Sequence, residues 1–319
     1  MGNIKYKHIA TVLRNKYVII FLLLYSVSIA ALTIVFDQPF IGVVIPFTFF
    51  GILFSFIAWL LTGNLTTLPG KPAFRGEAFL IILLVLFFTW YVTYGSSLIN
   101  KLIPHSIIET EWKNAIAILL KKLLVFVIIP FLLYRAAGFS LKDFGLVIGR
   151  KDLFSKKTIV VFAVLSVMIL LFQYFLSGGA KPVREGQFNA HQLIIALPLL
   201  FSWLFIEVGL VEEFFFRAVL QSRISVLFSS PVAGIVVSGL IFGLAHAPGL
   251  YLRGAESEGM SEQLPFIFWA AYTISAMCVA GIFLGIVWQR TKNLYLVMAL
   301  HAMVDLLPNL PEFIHTWHL

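Results

Sequence analysis

An all-α fold, a polytopic transmembrane helix bundle, is what this sequence predicts, and three observations predict it. Of the 319 residues, 60% are hydrophobic and only 12% are charged, more apolar side chain than one water-soluble core can hide. Several apolar runs approach or exceed the roughly 20 residues that a helix needs to cross a bilayer. The Leu, Ile, Val and Phe in those runs show no period-2 alternation, which favours helices over a barrel; only these two architectures satisfy every backbone group in lipid.

The runs lie at residues 17–36, 40–61, 78–95, 115–134, 158–176, 193–226, 231–247, 265–289 and 293–307, giving eight full spans and a short ninth. The first follows a basic stretch with no clear small-residue cleavage site and reads as a retained anchor. The sixth would be roughly 50 Å long if continuous, so it must tilt, kink or protrude, with Pro198 and Gly209 as its weak points. Ser230 before Pro231 reads as the N-cap and first position of the seventh helix, and Asn293 as the cap of the ninth. Gly239 with Gly243, and Gly281 with Gly285, have the spacing that lets membrane helices approach closely. The longest polar connection, Arg135 to Lys157, divides the chain into N-terminal transmembrane helices (1–140) and a C-terminal core (141–319) expected to carry the chemistry.

The net charge of +8 does not point to nucleic acid, because the basic residues sort by membrane side. With the N-terminus in the cytoplasm, Lys5, Lys7, Arg14, Lys16, Lys71, Arg75, Arg135, Lys142, Arg150, Lys151, Lys156, Lys157, Arg223, Arg290 and Lys292 all fall inside. Lys101, Lys113, Lys181, Arg184 and Arg253 fall outside, with Glu256, Glu258 and Glu262. A multi-pass protein of the cell membrane is the expected localisation. The single cysteine, Cys278, allows no internal disulfide and reads as a small packing residue. Trp203, Trp269 and Trp288 are expected as interfacial anchors. His105, His191, His315 and His318 are expected in solvated loops or the tail.

Glu212 and Glu213 stand in the sixth run, with Arg217 one turn later. An ionisable residue inside a membrane span marks a functional site with a partner to be found. Glu213 and Arg217, four apart with the acid first, suit an ion pair along one face. Glu212 projects about 100° away from Glu213, so the two cannot both serve the same immediate partner, and Glu212 is left to face a cavity. His246 shares a face with Phe242, and His301 with Asp305. From the assigned helix ends, Glu212 and His246 lie roughly 20 Å up their helices and His301 with Asp305 roughly 12 to 18 Å up theirs, depths at which one intramembrane pocket can collect all four. Such a group can perform peptide hydrolysis: Glu212 as general base, His246 holding or helping to deprotonate the same water, and His301 donating to the oxyanion. Phe214, Phe215, Phe216 and Phe242 are candidates to line the path of an apolar substrate. Glu207 fits no motif.

These residues carry a resemblance. Glu-Glu-x-x-x-Arg at 212–217, Phe-x-x-x-His at 242–246 and His-x-x-x-Asp at 301–305, in that order across successive helices, are similar to the CAAX prenyl protease and bacteriocin-processing family of intramembrane glutamic endopeptidases, also called type II CAAX or Abi. The likeness covers residues 140–307, including Ser-Leu-Lys-Asp-Phe-Gly-Leu at 140–146. It implies a metal-free, cofactor-free protease in which Glu212 and His246 activate water, Glu213 and Arg217 support the site, and His301 with Asp305 forms the oxyanion side. The family's prenyl proteases have Asn where this chain has Asp305, and an ionised carboxylate accepts hydrogen bonds but cannot donate one. The expected partners are the lipid bilayer and a membrane-associated or lipidated peptide or protein substrate. Two other classes stay open. One is a zinc-dependent membrane hydrolase, which would need His246, His301 and an acid on one metal; the sequence holds no His-Glu-x-x-His. The other is a non-enzymatic membrane protein for binding or immunity.

Overall fold

The computed structural model describes residues 14–62, 71–102, 108–146, 149, 155–253 and 264–319. Lys5, Lys7, His105, Arg150, Lys151, Glu256, Glu258 and Glu262 lie outside the described residues. Among the described residues, eight helices are long and apolar enough to cross a membrane: α1 (Lys16–Val35), α2 (Phe40–Thr62), α3 (Glu77–Leu102), α4 (Glu111–Ala136), α5 (Lys156–Leu176), α6 (Ala190–Leu227), α7 (Pro231–Leu252) and α8 (Phe266–Thr291). Two shorter apolar helices follow, α9 (Leu294–Asp305) and α10 (Leu310–Trp317), which meet at 88° as a broken span or a re-entrant pair. There is no strand among the described residues, and the chain is a multi-pass membrane protein. Its outward side chains agree: Val27, Ile34, Ile41 and Phe79 are all exposed, as a lipid-facing surface requires.

The helices form two compact units that interleave along the chain. One is drawn from the chain up to Arg75, Val219–Arg253 and the stretch ending at Thr291; the other from Gly76–Ala218 and Lys292–Leu319.

In the first unit α8 is the most enclosed helix, with 56% of its most apolar window buried. Ser230 caps α7 by accepting from Ala233 N at 3.2 Å, with Pro231 at the first helical position. The two glycine pairs set the α7–α8 contact. A Cβ on Gly281 would lie 3.3 Å from Gly239 Cα, and one on Gly243 would lie 2.9 Å from Cys278 Cα, so larger residues would force the backbones apart. Phe50, Phe54 and Phe283 fill the space beside that seam. Trp269 and Trp288 are not interfacial anchors here. Both are buried inside the protein, and Trp288 Nε1 donates to Ser222 Oγ at 3.0 Å, because an indole buried among helices needs a partner for its one polar atom.

The second unit carries α3, α4, α5, the body of α6, α9 and α10. The Ser140–Leu146 stretch has a structural task. Ser140 and Asp143 close a capping box, Gly145 takes φ +72°, and the turn inserts Phe144 among Tyr134, Phe139 and Phe214. Leu146 O then accepts from Tyr295 Oη at 2.8 Å, tying the loop to α9. Asn293 caps α9 through Leu296 N at 3.1 Å. His315 is exposed, as expected, and lies on α10, where its Nδ1 meets Glu111 Oε2 at 2.9 Å. Trp203 stacks edge-on against Trp317.

Candidate active site

One buried carboxylate organises the polar centre of the second unit. Glu213 has no solvent exposure, and its Oε1 holds Arg217 Nη1 at 3.0 Å along α6 and His301 Nδ1 at 2.6 Å from α9. An ionised carboxylate only accepts, so the imidazole donates from Nδ1. His301 Nε2 in turn lies 3.7 Å from Asp305 Oδ2, one turn further along α9. The row Arg217–Glu213–His301–Asp305 is graded in exposure, at 1%, 0%, 5% and 30% of each side chain, so it opens at the Asp305 end. Charge buried in an apolar protein persists only where it is paired and hydrogen-bonded, and this alternation of sign meets that condition.

Local backbone features make the row possible. α6 continues as helix through Pro198 and Gly209, but its turns widen to i→i+5 bonding at Phe205–Leu210 and again at Phe214–Gln221, on either side of the two glutamates. Such widened turns recur at functional sites because they re-aim side chains without ending the helix. At Gly209 the backbone of α9 comes close. A Cβ there would lie 2.7 Å from Met298 O, so the glycine permits the approach that brings His301 to Glu213. Below the site, α9 breaks after Asp305, and the freed backbone groups are met by Gln173 of α5. Its Nε2 donates to Met303 O at 2.7 Å and to Val304 O, and its Oε1 accepts from Leu307 N at 3.1 Å. In lipid, a broken helix end needs such a partner.

Glu212 is partly buried and interacts electrostatically with Lys122, Arg217 and His301, so it belongs to the same polar region as the Glu213 row. Of the residues expected from sequence, the second unit thus assembles Glu212, Glu213, Arg217, His301 and Asp305. Phe242 and His246 belong to the first unit, on α7. There the two rings lie 5.0 Å apart, and His246 Nδ1 meets Phe242 O at 2.8 Å. A carbonyl only accepts, so Nδ1 carries the proton in this contact. Phe214, Phe215 and Phe216 are fully buried and serve as aromatic core, packed on Phe144, Phe88 and Phe126.

Residues 194–307 match the family model described as type II CAAX prenyl endopeptidase, Rce1-like. This is the family that the ordered motifs resemble. The Rce1-like segment contains every site residue named from sequence, together with Glu207 and the glycine seam of α7 and α8. It leaves out α4 and α5, and so Lys122 and Gln173. No curated protein and no solved structure matches the chain.

Two residues of this region were missed from sequence. Lys122 of α4 pairs with Glu207 of α6, and Gln173 clamps the end of α9. The signal for Lys122 was present: a lysine pair in the middle of an apolar run is as anomalous as a glutamate pair. It also places a charged partner of the site outside the 141–319 core, where all the chemistry was expected. Gln173 gave no signal, since one amide in an apolar helix fits many structural uses. Among the described residues, no group of three or more His, Cys, Asp or Glu is placed to hold a metal ion.

Proposed function

We propose that the chain is an intramembrane, glutamate-dependent endopeptidase that hydrolyses a peptide bond in a membrane-associated or lipidated substrate. The observation that carries this is Glu213 held at once by Arg217 and His301, with the adjacent, partly buried Glu212 set in the same field of cations, as a carboxylate that exchanges a proton requires. The Rce1-like match over residues 194–307 supports the same class of chemistry.

In this mechanism Glu212 takes a proton from water as its oxygen attacks the scissile carbonyl, and the same carboxyl returns a proton to the departing amine. The oxyanion is met from α9. Because Nδ1–H of His301 is committed to Glu213, donation from Nε2 requires the doubly protonated ring. Asp305, 3.7 Å from that nitrogen, aligns it. His246 is assigned the second hold on the water from its Phe-x-x-x-His motif.

The test uses the full-length protein in liposomes with a quenched fluorescent lipidated peptide. Replacing the base, Glu212→Gln, is expected to lower cleavage by about 10²- to 10⁴-fold, with thermal unfolding unchanged. A mutant that cleaves at the wild-type rate refutes Glu212 as base. Loss of cleavage on chelation, restored by zinc, would instead favour the zinc hydrolase. A wild-type protein that binds the peptide without cutting it would favour the non-enzymatic class.

A further inference from the structure

The pair formed by Lys122 and Glu207 does not belong to the Glu213 row, and the proposed mechanism does not use it. Lys122 Nζ bonds Glu207 Oε1, joining α4 to α6, and both side chains are largely enclosed, 27% and 14% exposed. The turn of α6 that carries Glu212 packs on the Leu123–Ile128 segment of α4, immediately after Lys122. Lys122 also interacts electrostatically with Glu212 and with Tyr91 of α3. The charges facing Glu212 within its unit are therefore Glu207, Glu213 and Arg217 on its own helix, Lys122 with Tyr91 behind it, and His301 with Asp305 behind it.

Arg217 and His301 are bonded to Glu213 and act on Glu212 as well, while from the α4 side the cation acting on Glu212 is Lys122, which is bonded to Glu207. Three carboxylates this close in an apolar setting cannot all ionise unless cations match them. We propose that Lys122 and Glu207 are a positioning pair that sets the charge state of Glu212: Lys122 favours the ionised base, and Glu207 tempers that pull by sharing the ammonium. This rests on the assignment of Glu212 as base.

Opposite substitutions should then act in opposite directions. In the liposome assay with the same lipidated peptide, Lys122→Met should move the acid limb of the pH–rate profile up by about one pH unit, a tenfold loss of rate on that limb. Glu207→Gln, which frees Lys122 for Glu212, should move it down. The double variant should return close to the wild-type limb, and Lys122→Arg should hold it. A structural role alone would lower the rate without moving the limb. If Lys122→Met fails to fold, Glu207→Gln and Lys122→Arg still decide the matter. Limbs that stay in place, or move the same way in both single variants, overturn the inference while leaving Glu212→Gln inactive and the protease assignment intact. Wild-type cleavage by Glu212→Gln would overturn both.

Discussion

The two compact units differ in what their tightly packed helix pairs bury. In the first, α7 and α8 meet at a seam of Gly239, Gly243, Gly281 and Cys278, where backbones come close and rings fill the space beside it. In the second, the closest contacts include Gly209 on Met298, but the same helix pair also buries Glu213, Arg217 and His301. A seam of small residues is what membrane helices use to associate, since lipid offers no hydrophobic drive between them. A row of buried charges has no such structural rationale, because an apolar replacement of similar volume is often as stable or more so. The difference sets the charged row of the second unit apart from the glycine seam of the first as an arrangement that packing alone does not call for.

The comparison can be broken at Glu213. Truncation by Glu213→Ala leaves Arg217 and His301 buried beside each other without their shared anion, and is expected to destabilise the protein by about 3–5 kcal/mol. Denaturant unfolding in detergent micelles would measure it. Removing the ion pair together, as Glu213→Leu with Arg217→Met, should recover part of that loss, because the buried guanidinium is then no longer left without its anion. A single Glu213→Ala variant that unfolds at the wild-type midpoint would show that the row carries no buried charge.

At the seam of the first unit the expected effect is smaller. Gly243→Val places a branched side chain against the Cys278 backbone, and forcing the two helices apart should cost about 1–3 kcal/mol. Adding Cys278→Gly should restore part of it, since the displaced group is then reduced to backbone. The same unfolding measurement applies, and a neutral Gly243→Val would mean that α7 and α8 do not pack through this face.

Sequence made some of this visible and hid the rest for definite reasons. The spans were legible because twenty apolar residues in a row have few uses, and the caps at Ser230 and Asn293 because a cap is local. The contact of Glu213 with Arg217 was readable for the same reason, both lying one turn apart on a single helix. The Lys122–Glu207 pair was not, because it joins helices 85 positions apart and helical spacing says nothing about which faces of different helices meet. Trp269 and Trp288 misled for a related reason: an indole suits both a membrane interface and a tight helical core, and composition cannot choose between them. Gln173 became meaningful only with the break after Asp305, whose open carbonyls it fills.

The smallest expected effect lies outside the spans, at the turn between α8 and α9. Lys292 adopts φ +48° there and is partly buried, and burial pushes its ammonium down to about 8 from the usual 10.5. Between those two values the unfolded chain still holds a proton that the folded chain has released, so by linkage the stability rises with pH across that window. Below about 8 both states hold the proton and the full penalty of burying the charge applies. Unfolding midpoints taken from neutral to alkaline pH should therefore climb in the wild type, and Lys292→Met should be the more stable protein at neutral pH and lose that part of the slope. An identical slope in both proteins would mean that the ammonium reaches water in the folded state, and that the turn into α9 is stabilised by its Asn293 cap without an opposing charge.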